Sequence, residues 1–173
     1  MSEAREAAEN RAWTLAAYGY GLLVSALVGY FLLGLPVQLT DSFSLIVAVQ
    51  NQPLTEVIAA QFHQAGYLRP FLWGQTMIAY ELAGGEYYWT FRGLHAVQVA
   101  ALVFLFVRLL RPQTALDAAL VPFALAMLVG SHTFQGTVRE AFPINTFLTI
   151  LICCVLAANL AFARPRGWID AAA

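Results

Sequence analysis

A few polar residues stand out in a chain that is otherwise apolar. Asp41 sits within Leu39-Thr40-Asp41-Ser42-Phe43. An Asp ahead of an apolar periodic segment suits an Asx turn or a helix N-cap. The same carboxylate, within hydrogen-bond reach of a hydroxyl, would serve as a general base at a membrane face. Arg139-Glu140 is flanked by Phe134, Val138, Ala141, Phe142 and Pro143. As a solvated local ion pair it would contribute little; as an acid held beside Arg at a membrane face it is a functional candidate. Arg69 precedes Pro70. Its guanidinium suits snorkelling or lipid-phosphate contact, or a bidentate grip on the phosphate of a lipid-linked substrate. His63, His95 and His132 each stand alone, the usual setting of a packed or hydrogen-bonded histidine. No His/Asp/Glu spacing matches a zinc motif, and there is no phosphate loop, nucleophile elbow or nucleotide fingerprint.

Composition limits what can position these groups. Of 173 residues, 60% are hydrophobic and only 11% charged. A soluble domain carries roughly a quarter charged residues, so this chain has too few to cover a soluble surface, and its apolar content excludes global disorder. A net charge of -1 excludes a basic nucleic-acid footprint. All nine basic residues are Arg, which leaves no Lys for Schiff-base chemistry. Cys153 and Cys154 are neighbours in an apolar run. Adjacent helical positions point about 100° apart, which suits neither a disulfide nor a metal site, so they read as core or lipid-facing filler.

Four runs have the length and apolarity of a bilayer span of about 20 residues: 13–35, 87–110, 118–138 and 141–163. Arg92 and Arg108 lie near the two ends of the second run, where Arg can snorkel. With the N-terminus in the cytoplasm, Arg5, Arg11, Arg108, Arg111, Arg164 and Arg166 fall inside and only Arg69, Arg92 and Arg139 outside, as the positive-inside rule asks. The external stretch 36–86 predicts two interfacial helices. One starts at Pro53 and repeats Leu54, Val57, Ile58 and Phe62 at helical spacing. The other covers Pro70 to Tyr80, too short to span, and Gly84-Gly85 breaks the chain before the next run. Trp73, Tyr87, Tyr88 and Trp89 read as an aromatic belt. The expected architecture is an all-α, polytopic membrane helical bundle, one domain over 1–173.

The order of these features resembles the N-terminal part of the GT-C integral-membrane glycosyltransferases. It is most similar to the protein O-mannosyltransferase branch, including the tetratricopeptide-containing and bacterial members. The resemblance rests on a first span followed directly by Asp41, then Tyr67-Leu68-Arg69-Pro70-Phe71-Leu72-Trp73 opening a juxtamembrane helix. A span with the early His95 follows, ending in Arg108-Leu109-Leu110-Arg111, and Glu140 comes in the second outer loop. It covers nearly the whole chain. Two elements depart from the family: its Asp-Asp is Thr40-Asp41 here, and its His-Thr-Glu-like element reads Thr137-Val138-Arg139-Glu140. Family enzymes also have many more spans and usually a soluble C-terminal part, so the chain corresponds to their front portion.

The resemblance implies a polyprenyl-phosphate-linked sugar donor in the outer leaflet and a protein, glycan or lipid acceptor on the external face. It implies Asp41 as general base with inversion at the sugar carbon. Arg69 or Arg139 would meet the departing phosphate, Glu140 would orient the acceptor or a divalent metal, and Tyr67 and His95 would join in substrate binding. Metal dependence varies across the family, and no nucleotide is required. The implied location is the inner (plasma) membrane, with the first loop external or periplasmic. A non-catalytic protein of the same ancestry, binding a lipid phosphate or partner helices, is the second reading. A transporter comes last, because its spans should be lined with ionisable residues, and here His95 and Asn159 are the notable polar exceptions.

Overall fold

The computed structural model describes residues 2–35, 46–47, 49–50, 52–65, 70–132, 134–136 and 146–163. Among them there is no strand, and six helices have defined bounds: α1 (Ser2–Leu33), α2 (Leu54–Ala65), α3 (Pro70–Ala83), α4 (Tyr87–Leu110), α5 (Ala115–Gly130) and α6 (Thr146–Ala163), with further helical residues at 46–47, 49–50 and 134–136. Two of these, over 5–33 and 87–110, are long and apolar enough to cross a membrane. At 1.5 Å per residue, the 32 residues of α1 extend about 48 Å and the 24 of α4 about 36 Å. The polar segment before Trp13 is therefore a helical continuation of the apolar run.

Local chemistry sets the ends. The Pro53 carbonyl accepts from the amides of Glu56 (3.0 Å) and Val57 (3.2 Å), starting α2. Gly84 (φ +54°) and Gly85 (φ +104°) stop α3 in conformations open chiefly to glycine. Thr114 caps α5 through a full capping box. Its hydroxyl accepts from the Asp117 amide, and the Asp117 carboxylate accepts from the Thr114 amide. That carboxylate also accepts from the Gln113 amide.

The box puts the start of α5 three residues ahead of the expected span, and Ser131 ends it well before the expected Val138. Ser131 is extended (φ −64°, ψ 139°), and its hydroxyl then caps a new helical turn by accepting from the Phe134 amide at 3.2 Å. At 16 residues, α5 is only about 24 Å long. Within it, Pro122 has no N–H to give the Ala118 carbonyl.

The long helices alternate in direction. At one end, here the upper, the Tyr88 hydroxyl donates to the Leu33 carbonyl (2.7 Å), joining the start of α4 to the finish of α1. At the lower end the Thr14 hydroxyl donates to the Pro112 carbonyl (2.9 Å). α6 runs parallel to α4: Thr149 meets Gln98 about halfway down α4, and the Asn159 amide donates to the Leu105 carbonyl (3.0 Å) further down. The core draws Ala17 and Leu32 from α1, Val99, Leu102, Val103 and Val107 from α4, Val121 and Leu125 from α5, and Leu148 from α6.

The side of α1 turned inward is small: Ala17, Gly21, Ser25 and Gly29 recur every fourth residue and all are buried. A Cβ on Gly21 would lie 3.4 Å from a Val107 methyl and 3.5 Å from a Val103 methyl, and one on Gly29 would lie 3.8 Å from the Ala96 Cβ. The large residues Leu15, Leu22, Leu23, Leu27, Tyr30 and Phe31 face outward. Small residues between helices and large apolar ones outside reverse the pattern of a water-soluble helix. Cys153 and Cys154 of α6 are likewise exposed.

Gly21→Leu should wedge α1 off α4 and cost about 1–3 kcal/mol. Gly19→Leu, with nothing within 4 Å of its Cβ, gains the same helix propensity without the clash. Thermal unfolding in detergent should place the Gly21 variant clearly below the Gly19 variant.

Candidate functional site

The buried face of α4 changes character along its length. Its lower half is aliphatic through Val99, Leu102, Val103 and Val107. Its upper half carries Arg92, His95 and Gln98, three residues apart and so on one side of the helix. Arg92 and His95 are fully buried, 0% exposed. Arg92 thus lies inside the bundle rather than snorkelling from a span end. The helix turns Arg92 inward beside Phe91, and two residues so placed share the protein interior whatever their polarity.

Two other helices complete the cluster. The Gln98 side chain donates from Nε2 to the Thr149 hydroxyl oxygen of α6 at 2.8 Å, and Gln75 of α3 donates to the same oxygen at 2.9 Å. One hydroxyl therefore joins three helices. Thr76 of α3 is fully buried nearby in sequence. The amide oxygens of Gln75 and Gln98 and both ring nitrogens of His95 are buried with no hydrogen-bond partner among the described residues. Most buried polar atoms in proteins are satisfied, as Asn159 is, donating to both Leu105 and Val155 carbonyls. The upper cluster is an exception, as is the buried Trp73 indole N–H.

An aromatic ladder borders it. Tyr80 of α3 stacks on Tyr87 at 5.3 Å, and Tyr87 on Phe91 at 6.2 Å. The Tyr87 hydroxyl, then burial, raise the Tyr80 phenol above its usual pKa. Tyr88 meets Trp89 edge-on, and Trp89 is exposed, as a belt residue would be. Trp73 is not: it is buried with Val49 and Val57, because it shares the inner side of α3 with Thr76, Ala79 and Ala83.

Of the residues singled out from the sequence, His95 falls inside this cluster. Asp41, Tyr67, Arg69, Arg139 and Glu140 lie outside the described residues. Gln75, Gln98 and Thr149 were missed. Polar residues at one helical spacing, inside runs otherwise apolar, were the signal that would have found them. No three His, Cys, Asp or Glu side chains among the described residues come together to hold a metal ion. The cluster offers amide oxygens, an imidazole, a hydroxyl and a guanidinium, which are groups for binding and orienting a polar ligand. No protein-family model, curated protein or solved structure matches this chain.

Thr149→Val should strand both glutamine amides and cost about 1–3 kcal/mol for each buried group left unmade. Thr149→Ser keeps the hydroxyl and should recover most of that loss, measured by thermal unfolding of the two variants side by side.

Proposed function

We propose that this chain is a polytopic membrane protein crossing the bilayer four times, through α1, α4, α5 and α6, with its functional end at the top of α4. The observation that carries the reading is the outer surface: α1 turns small residues inward and large apolar ones outward, and α5 and α6 likewise expose Phe123, Met127, Leu160 and Phe162. Water would penalise that outer surface, and lipid would not. The short α5 and α6 suit a bundle whose upper polar parts sit below the outer interface. On this reading the N-terminus is cytoplasmic, the membrane is the inner (plasma) membrane, and α2 and α3 lie at its external face.

The activity we propose is transfer of a sugar from a polyprenyl-phosphate donor to an external hydroxyl, the chemistry implied by the GT-C resemblance. Connectivity supports it. Segments 36–45 and 137–145 each leave a described residue at the upper end of the bundle, Leu35 and Gly136. They carry Asp41 and Arg139-Glu140. In the step, the Asp41 carboxylate takes the acceptor's O–H proton. The freed oxygen attacks the sugar carbon from the side opposite the phosphate, and the C–O bond to phosphate breaks with its electron pair, inverting the centre. Arg69 or Arg139 stabilises the departing polyprenyl phosphate, where preorganised charge is worth several kcal/mol. Glu140 orients the acceptor, and Tyr67 and His95 contribute to donor binding.

A second reading, a non-catalytic protein that binds the lipid-linked sugar, is favoured by the cluster's makeup, since its described members are binding groups. Reconstituting the chain with a labelled polyprenyl-phosphate sugar and a hydroxyl acceptor separates the two. Turnover in the wild type, reduced at least about 100-fold in Asp41→Asn, supports transfer with Asp41 as base. Wild-type turnover in that variant contradicts the assignment, and donor binding without turnover in the wild type selects the binding reading.

A further inference from the structure

The buried cluster on α4 narrows the chemistry of what it holds. Gln75 and Gln98 are both anchored through Nε2 to the Thr149 hydroxyl, at 2.9 and 2.8 Å. That anchoring fixes each amide and leaves its Oε1 as a buried acceptor without a partner among the described residues. His95, one turn above Gln98 on the same face and 0% exposed, has both ring nitrogens in the same condition. A neutral imidazole supplies one N–H donor and one acceptor. Four buried atoms are thus left to be satisfied, three of them acceptors. In an interior without bulk water each open group is costly, so a partner that donates and accepts is called for.

Charge selects among partners. Two carbonyl oxygens would repel an anion brought between them. A bare cation could not accept from the imidazole N–H. A neutral group rich in hydroxyls meets both conditions, because each O–H can donate to an amide oxygen and its oxygen can accept from imidazole. Along α4 the cluster extends down to Gln98, eleven residues or about 16 Å below Tyr87, so a group reached from the upper end must enter about half the length of that helix. Thr149 lies in the first turn of α6, three residues or about 5 Å below its start at Thr146.

We propose that Gln75, Gln98 and His95 form a binding site for a neutral, hydroxyl-bearing group, of the class of adjacent hydroxyls on a sugar ring. The site recognises hydroxyls rather than phosphate. The sugar assignment rests on the donor chemistry proposed above; the preference for a neutral hydroxylated group rests on the cluster alone.

The test uses the full chain in lipid nanodiscs with 15N-labelled histidine, the His95 signal being assigned by its loss in His95→Gln. Three probes share one alkyl chain: pentyl glucoside, pentyl phosphate and pentanol. The expected result is a saturable shift of the His95 ring nitrogens with pentyl glucoside and none with the other two. Gln98→Leu should weaken the glucoside response about tenfold, the loss of one good hydrogen bond. Gln98→Asn, which keeps an amide but withdraws it, should weaken it with the fold retained. An equal response to pentanol, a stronger response to pentyl phosphate, or an undiminished response in folded Gln98→Asn would overturn the proposal. Glucoside binding with no sugar transfer would leave this site standing and remove the enzymatic reading. Transfer without a His95 response would do the reverse.

Discussion

The structure depends on how closely α1 can approach α4. Gly21 lets the two backbones come near enough that even a methyl would touch Val103 and Val107, and Ala17, Ser25 and Gly29 continue that contact along the helix. Dispersion between closely apposed helices is what holds an apolar bundle together when its surroundings are as apolar as its side chains. With α1 seated this way, one side of α4 is closed by small residues. Its remaining faces are left for α3, α5 and α6. The hydrogen bonds at the two ends, Tyr88 to Leu33 and Thr14 to Pro112, fix the register of that pair.

The polar cluster follows from this arrangement. Because α1, α3 and α6 pack on α4, any polar residue on its inward face must find partners inside the bundle. Asn159 does so with two carbonyls, and it fastens α6 to α4 low in the bundle. Higher up, the Thr149 hydroxyl fastens α3 and α6 to α4 together, and there the satisfaction is incomplete. A helix that is aliphatic below and polar above gives the bundle a direction. Its lower half serves packing. Its upper half carries the groups with capacity for a ligand, beside the ends from which the segments bearing Asp41 and Glu140 depart.

Much of the helical layout was legible in the sequence. The second apolar run and α4 share the limits 87 and 110, and α3 stops where Gly84-Gly85 requires it, because glycine conformations and apolar length are local properties. What was not legible depended on neighbours. Ser131 ends α5 by capping the turn after it, a choice invisible in a run of apolar residues. Trp73 and Arg92 looked like interface residues by type, yet which side of a helix faces the bundle is decided by the packing partners. The small-residue repeat in α1 was present to be read, but it is inconspicuous until α4 lies against it. Of the candidate site, His95 alone was singled out among the described residues, since Gln75, Gln98 and Thr149 are ordinary until three helices converge.

Vectorial labelling reads out whether the chain forms a four-span bundle with its polar cluster toward the external face. In a background with Cys153 and Cys154 replaced by Ala, single cysteines are placed at Glu9 and Gln113 for the lower end and at Gly34 and Gln135 for the upper. Intact cells are then treated with a membrane-impermeant maleimide. In a four-span bundle so oriented, Gly34→Cys and Gln135→Cys react from outside, whereas Glu9→Cys and Gln113→Cys react only after permeabilisation. Labelling of all four from one side, or release of the protein from membranes by alkaline carbonate, would contradict it.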